Sequence, residues 1–137
     1  MNNQSILSVF VYAGVKIIIP GDNESASYNE LLQDEEFKTA IQNADVLVAS
    51  HHGRESGYHD EFIKLVKPRI TIISDSSKKD TSAAADYSRV SRGWTVYNRS
   101  DGTSQQRKTL STYHDGVINI KIGYDDDKRP FLNIFKK

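Results

Sequence analysis

Two apolar runs in this sequence end in side chains that can bind a metal ion. Residues 46–49 are apolar and lead into Ser50 and His51-His52-Gly53, and Val15–Ile19 leads into Pro20-Gly21-Asp22. The end of a strand fixes the position of a side chain, and the following loop keeps that side chain accessible. Imidazole and carboxylate groups are common zinc ligands. Asp22, His51 and His52 are therefore the candidate metal ligands.

Each candidate also has a structural interpretation. Asp22 can accept backbone N–H groups within a Gly-Asp-Asn turn and stabilise that turn alone. Adjacent residues of an extended chain point to opposite sides, so His51 and His52 cannot both reach one ion from a regular strand. One of them would then be a ligand while the other packs or supports the loop. Asp75 is a weaker candidate at the end of a third apolar run, and the nearby Lys78 and Lys79 could attract phosphate.

Composition sets limits on the class of protein. The chain has 137 residues, and we expect residues 1–137 to form a single domain. Its 18 basic and 18 acidic residues balance, which argues against a strong sequence-independent grip on nucleic acid. It has no cysteine, so neither a disulfide nor a thiolate metal site can form. No apolar run approaches the roughly 20 residues that span a bilayer, and we expect a cytoplasmic protein without membrane contact.

Local patterns predict an α/β fold. Residues 6–12 and Val15–Ile19 are predicted strands joined by the turn Ala13-Gly14. Residues 25–43 show helical spacing, broken near Asp34, and lead into a strand at 45–49, which makes a parallel βαβ unit. The remaining predicted elements are a helix at Asp60–Val66, a strand at 69–73, a loop at 74–81, a helix at 83–90, a strand at 94–97, a loop at 98–106, a hairpin of 107–113 with 117–122 around His114-Asp115-Gly116, and an edge strand at 131–135.

The order of these motifs resembles a known family. The ordered pattern consists of Asn2 or Asn3 with Ser5, then Gly21-Asp22, Ala44-Asp45-Val46-Leu47, and His51-His52-Gly53. It is similar to the C-terminal half of a metallo-β-lactamase-fold domain, and most closely to the hydrolase domain of ComEC-type competence proteins. Lys67-Pro68-Arg69-Ile70 and Gly93-Trp94-Thr95-Val96 match later parts of the same pattern.

The resemblance implies an αββα sandwich with a mixed sheet, flanking helices and a divalent metal site at one edge. The metal would be zinc, or alternatively manganese, and the reaction would be hydrolysis of phosphodiesters. The Gly-Asp aspartate of the family bridges two metal ions, which assigns Asp22 a catalytic and ligand role. His51 is the second catalytic candidate, and His51 and His52 are ligand candidates at the rim.

One family motif is missing. The His-x-His-x-Asp-His ligand cluster occurs nowhere in this sequence, and a catalytic zinc needs about three protein ligands. We therefore expect a hydrolase fragment or subunit that is inactive alone. A half sandwich would expose an apolar sheet face, so we expect a homodimer or a complementary N-terminal-half chain to cover it; nucleic acid is a further candidate partner. The alternative is a non-catalytic remnant that acts as a partner-binding or dimeric module.

Overall fold

The computed structural model describes residues 5–75 and 83–137. The predicted loop 74–81, with Lys78 and Lys79, lies mostly outside the described residues, as do Asn2 and Asn3. The strands are β1 (Ser8–Tyr12), β2 (Val15–Ile19), β3 (Val46–Val48), β4 (Ile70–Ile73), β5 (Trp94–Asn98), β6 (Ser104–Arg107), β7 (Thr109–Ser111), β8 (Ile118–Tyr124) and β9 (Pro130–Lys136). The helices are α1 (Ser25–Leu31), α2 (Glu35–Ile41), α3 (Asp60–Val66), α4 (Ala84–Val90) and the single turn α5 (Thr112–Asp115).

The first sheet, sheet A, has the strand order β1-β2-β3-β4-β7. The β1–β2 pair is the predicted antiparallel hairpin, and Ala13 and Gly14 both have positive φ, as a tight hairpin turn requires. Strands β2, β3, β4 and β7 run parallel to one another, so the predicted βαβ unit is confirmed. The predicted helix is broken at Asp34, whose carboxylate accepts the backbone N–H groups of Glu36 and Phe37 and so begins α2.

Helices cover one face of sheet A. Ile18, Leu47 and Ile73 point from this face into a core that also contains Tyr28 of α1 and Phe62 of α3. All five side chains are almost completely buried. These apolar positions fix the carboxyl ends of β2, β3 and β4 relative to the helices, and those ends carry the candidate ligands.

A second sheet covers the other face of sheet A. This sheet, sheet B, has the order β6-β5-β9-β8. Val46, Ile70 and Ile72 of sheet A pack against Val96 and Ile134 of sheet B in a second buried core. The expectation that this apolar face needs a partner chain to cover it was wrong, because the chain's own strands do so. The structure is thus an α/β fold with two mixed sheets and flanking helices.

Three predicted elements of the second half were wrong. The hairpin around His114-Asp115-Gly116 does not form: β7 lies parallel to β4 in sheet A, whereas β8 belongs to sheet B. The predicted loop 98–106 contains most of β6, which pairs antiparallel with β5 around the Asp101-Gly102 turn. Strand β9 is not an edge strand, because it pairs with β5 on one side and β8 on the other.

Candidate functional site

The candidate ligands follow three neighbouring parallel strands. Asp22 lies in the turn after β2, His51 and His52 follow β3, and Asp75 follows β4. The carboxyl ends of parallel strands meet at one edge of a sheet, which is where α/β proteins usually bind ligands. The order of the strands therefore places all four residues along the same rim of sheet A.

The histidine pair has an unusual backbone. His51, His52 and Gly53 have φ values of 50°, 56° and 79°, so three successive residues are left-handed. Non-glycine residues rarely adopt this conformation, and it persists only where the surroundings enforce it. The tight turn also removes the opposite-side restriction that an extended chain imposes on neighbouring side chains.

Buried hydroxyl groups hold the start of this turn. The Ser50 hydroxyl hydrogen-bonds the Tyr28 hydroxyl, and the backbone of Ser50 bonds the Tyr87 hydroxyl. Burial raises the pKa of Tyr28 and of Tyr87 above the ordinary tyrosine value, so both remain neutral donors or acceptors. Gly57 lies against the Ser50 carbonyl, where a Cβ atom would be only 2.6 Å from the oxygen. The residue before the histidines is therefore fixed on several sides.

Both ring nitrogens of His51 have protein partners. Nδ1 lies 3.0 Å from the Ser56 hydroxyl, and Nε2 lies 3.3 Å from a guanidinium nitrogen of Arg54. A guanidinium can only donate, so Nε2 is the acceptor and the proton of the neutral ring is assigned to Nδ1. In this arrangement His51 holds the loop together, and metal binding by His51 would require one of these contacts to break.

His52 has the geometry of a functional imidazole. Its Nδ1 lies 2.7 Å from the Ser74 carbonyl oxygen, which can only accept, so Nδ1 carries the proton. The lone pair of the neutral ring is then on Nε2, for which no partner occurs among the described residues. Orientation by a backbone carbonyl is the usual support of histidines that bind metals or accept protons. His52 is thus better placed for chemistry than His51.

Asp22 is adjacent to this turn but does not join a ligand cluster. The backbone N–H of His51 donates to the Gly21 carbonyl at 3.0 Å, which fixes the Asp22 turn beside the histidine turn. Asp22 itself is exposed. The buried side chain of Asn23 stabilises the turn through Pro20, Ser5 and Ser27. In Gly-Asp-Asn the side chain that stabilises the turn is therefore that of Asn23 and not that of Asp22.

An open cleft of about 1020 Å³ lies beside His52. Its lining residues are His52, Arg54, Ser74, Asp75, Thr112, Tyr113, Gly116, Val117, Ile118 and Lys137. The Thr112 hydroxyl donates to the Asp75 carbonyl oxygen at 2.6 Å and accepts from the Asp75 amide at 2.9 Å, which fixes the Asp75 backbone. The cleft combines one imidazole and one carboxylate with the two cations of Arg54 and Lys137, so an anionic group would suit it.

The described residues do not form a complete metal site. No three His, Asp or Glu side chains within residues 5–75 and 83–137 lie close enough to hold one ion. A zinc site of the usual kind needs about three protein ligands, so the described residues do not by themselves fit the metal that the resemblance implies. The structure brings His52 and Asp75 to one cleft, and it leaves Asp22 and His51 beside it.

Sequence reasoning missed most residues of the cleft, including the polar side chains of Arg54, Thr112 and Lys137. Arg54 directly follows His51-His52-Gly53, and that position was the available signal. Thr112 was assigned to a strand, and Lys137 carries no motif.

Among the described residues, no helix has the length and apolar character needed to cross a membrane.

Comparison with known proteins adds no family to this description. No family model matches the sequence, and neither a curated protein nor a solved structure is significantly similar to it. The resemblance noted above therefore depends on the quoted motifs and their order.

Proposed function

We propose that this chain is the C-terminal half of a metal-dependent hydrolase of the metallo-β-lactamase type, acting on phosphodiesters in the cytoplasm and inactive alone. One observation carries the proposal: three parallel strands bring Asp22, His51-His52 and Asp75 to one rim. Of these, Asp22 and the histidine pair belong to the quoted family motifs and follow their order. The cations Arg54 and Lys137 beside His52 suit a phosphodiester or nucleic-acid backbone.

The missing ligands would come from a complementary chain with the His-x-His-x-Asp-His sequence. In that assembly His52 would contribute its Nε2 lone pair, and the Ser74 carbonyl would keep the ring in the required tautomer. The bound metal would supply activated water and charge stabilisation. The residues of this chain would position the phosphodiester and neutralise its charge.

The test is a zinc and manganese titration of the purified chain by calorimetry, followed by an assay with bis(4-nitrophenyl) phosphate. We expect weak metal binding that falls about tenfold or more in His52→Ala, and negligible phosphodiester cleavage. His114→Ala is the matched control, because His114 is exposed and does not line the cleft. Equal loss in both variants would remove His52 from the site, and rapid metal-dependent cleavage would contradict the proposed inactivity.

The second candidate is a non-catalytic binding module. The observation that favours it is that both nitrogens of His51 are engaged and that the described residues offer no group of three ligands. Unchanged thermal stability in excess EDTA and in excess zinc would support this candidate over the hydrolase half.

A further inference from the structure

Among the strands that the structure describes, β1 is an exposed edge of sheet A. It pairs with β2 on one side and is the end of the strand order. Phe10, Val11 and Tyr12 are 54%, 65% and 56% exposed. An edge of this kind presents unpaired backbone N–H and C=O groups together with apolar side chains, and it is a template for pairing with another strand.

The other described sheet edges carry features that discourage such pairing. Strand β6 reads Ser-Gln-Gln-Arg, β8 carries Lys121 at an exposed position, and β7 is only three residues long. Polar or charged side chains and short length are common protections of natural edges. Strand β1 reads Ser-Val-Phe-Val-Tyr, with no charge and no proline. It is therefore the edge on which these protections are lacking.

The apolar surface extends beyond the strand itself. The register places Phe10 and Tyr12 opposite Ile17 and Val15, on the side of sheet B, whereas Val11 lies on the helix side. The Tyr12 ring also contacts the ring of Tyr124, with centroids 5.9 Å apart.

The size of this surface fits a stable dimer. The exposed fractions of Ile6, Phe10, Val11, Tyr12, Ile19 and Tyr124 amount to about three and a half whole residues. At about 200 Å² for each large side chain, this gives on the order of 700 Å² per protomer. If these side chains were completely covered, two copies would bury at most about 1,400 Å², and this upper bound lies within the range of roughly 1,200–2,000 Å² that is typical of specific interfaces.

We propose that β1 binds a second copy of this chain by antiparallel pairing of the two β1 strands about a twofold axis. Five strands from each protomer would then form one continuous sheet of ten. Antiparallel self-pairing with Phe10 at the axis places Val9 of one copy opposite Val11 of the other, so no like charges meet. The pairing uses backbone groups and apolar side chains away from the His52 cleft, and it is independent of metal binding.

Sedimentation velocity of the full chain from about 1 to about 100 µM tests this interface. We expect a dimer for the unmodified chain and a dissociation constant raised by roughly 100-fold in Val11→Lys, because the ammonium would have to be buried at the strand pair. Val117→Lys is the matched control: Val117 is 62% exposed, almost as much as Val11, but lies outside any strand. Circular dichroism would establish that both variants are folded.

Three outcomes would overturn the interface: a monomer at all concentrations, a Val11→Lys variant that dimerises normally, or a Val117→Lys variant that dissociates equally. If Val11→Lys does not fold, hydrogen exchange on the unmodified chain decides the question. Amides of β1 should become more protected as the protein concentration rises, and protection that does not change with concentration would refute the pairing.

Discussion

Asp115 connects the two sheets. Replacing it with asparagine tests how much this connection contributes to the stability of the fold. Its side chain is only 5% exposed and accepts the Ser111 amide at 3.0 Å, at the end of β7 in sheet A. From sheet B it accepts two guanidinium nitrogens of Arg107, at 3.1 and 3.3 Å, and the Lys136 ammonium at 3.0 Å. Asp115→Asn keeps the shape of the side chain but leaves two cations without a counter-charge.

The expected loss follows from the burial of these groups. Removing one partner of a fully buried ion pair costs about 3–5 kcal/mol. Arg107 and Lys136 retain 27% and 21% exposure, so water compensates part of that loss. We therefore expect Asp115→Asn to lower the free energy of unfolding at pH 7 by about 2–3 kcal/mol. The measurement is urea unfolding followed by far-ultraviolet circular dichroism.

The pH dependence gives a second test of the same group. Burial raises the pKa of the Asp115 carboxyl, but the Ser111 amide, Lys136 and Arg107 outweigh it, so the pKa lies below the ordinary value of 3.8. A depressed pKa contributes stability that is present above the unfolded-state pKa and lost as the pH falls through the folded-state pKa. The difference between the two proteins should be constant near neutrality and shrink below about pH 4.

Asp86→Asn is the control, because Asp86 forms an ion pair with Arg89 on the surface of α4. Such pairs contribute about 0–1 kcal/mol. If Asp115→Asn costs no more than Asp86→Asn, or if its cost does not change in acid, the reasoning about Asp115 is wrong.

Two further substitutions examine the histidine turn. Gly53→Ala should destabilise the protein by about 2–4 kcal/mol in urea unfolding, because a left-handed backbone is strained for alanine and the Cβ would lie 2.8 Å from Ile73 Cγ2. Gly14 is the control, because it has a similar φ but no atom within 4 Å of an added Cβ. Gly14→Ala should therefore cost about 1 kcal/mol, the cost of the backbone conformation alone. Equal costs for the two substitutions would contradict the proposed clash with Ile73. Tyr28→Phe should cost about 1–2 kcal/mol by leaving the buried Ser50 hydroxyl one partner short, and unchanged stability would show that water replaces that partner.

The first half of the fold could be predicted because its signals are local. Ala13-Gly14 specifies the β1–β2 turn, and alternating apolar and helical patterns specify the following βαβ unit. The break at Asp34 was visible because an aspartate preceding two acidic residues is a typical helix start. The same patterns predicted that the candidate ligands lie at strand ends, as the structure has them.

The second half was less predictable because distant contacts decide it. His114-Asp115-Gly116 has the composition of a hairpin turn, but ion pairs with Arg107 and Lys136 draw Asp115 inward and α5 forms instead. Strand β6 contains no apolar residue, and its pairing with β5 gives it its structure. At the site, the sequence identified the histidines, but only the hydrogen bonds distinguish the two. Nε2 of His52 has no partner within residues 5–75 and 83–137, whereas both nitrogens of His51 are engaged.

The position of β9 has a consequence for the order of folding. Within the described part of the chain, β8 joins sheet B only through β9, and β9 reaches β5 across more than thirty intervening residues. Sheet B therefore consists of two local hairpins, β5–β6 and β8–β9, and it is complete only when β9 pairs with β5. Such non-local pairing is slow compared with helix and hairpin formation. Until β9 pairs with β5, the face of sheet A that packs against sheet B remains in water. Completion of sheet B is therefore also the step that excludes solvent from the second core.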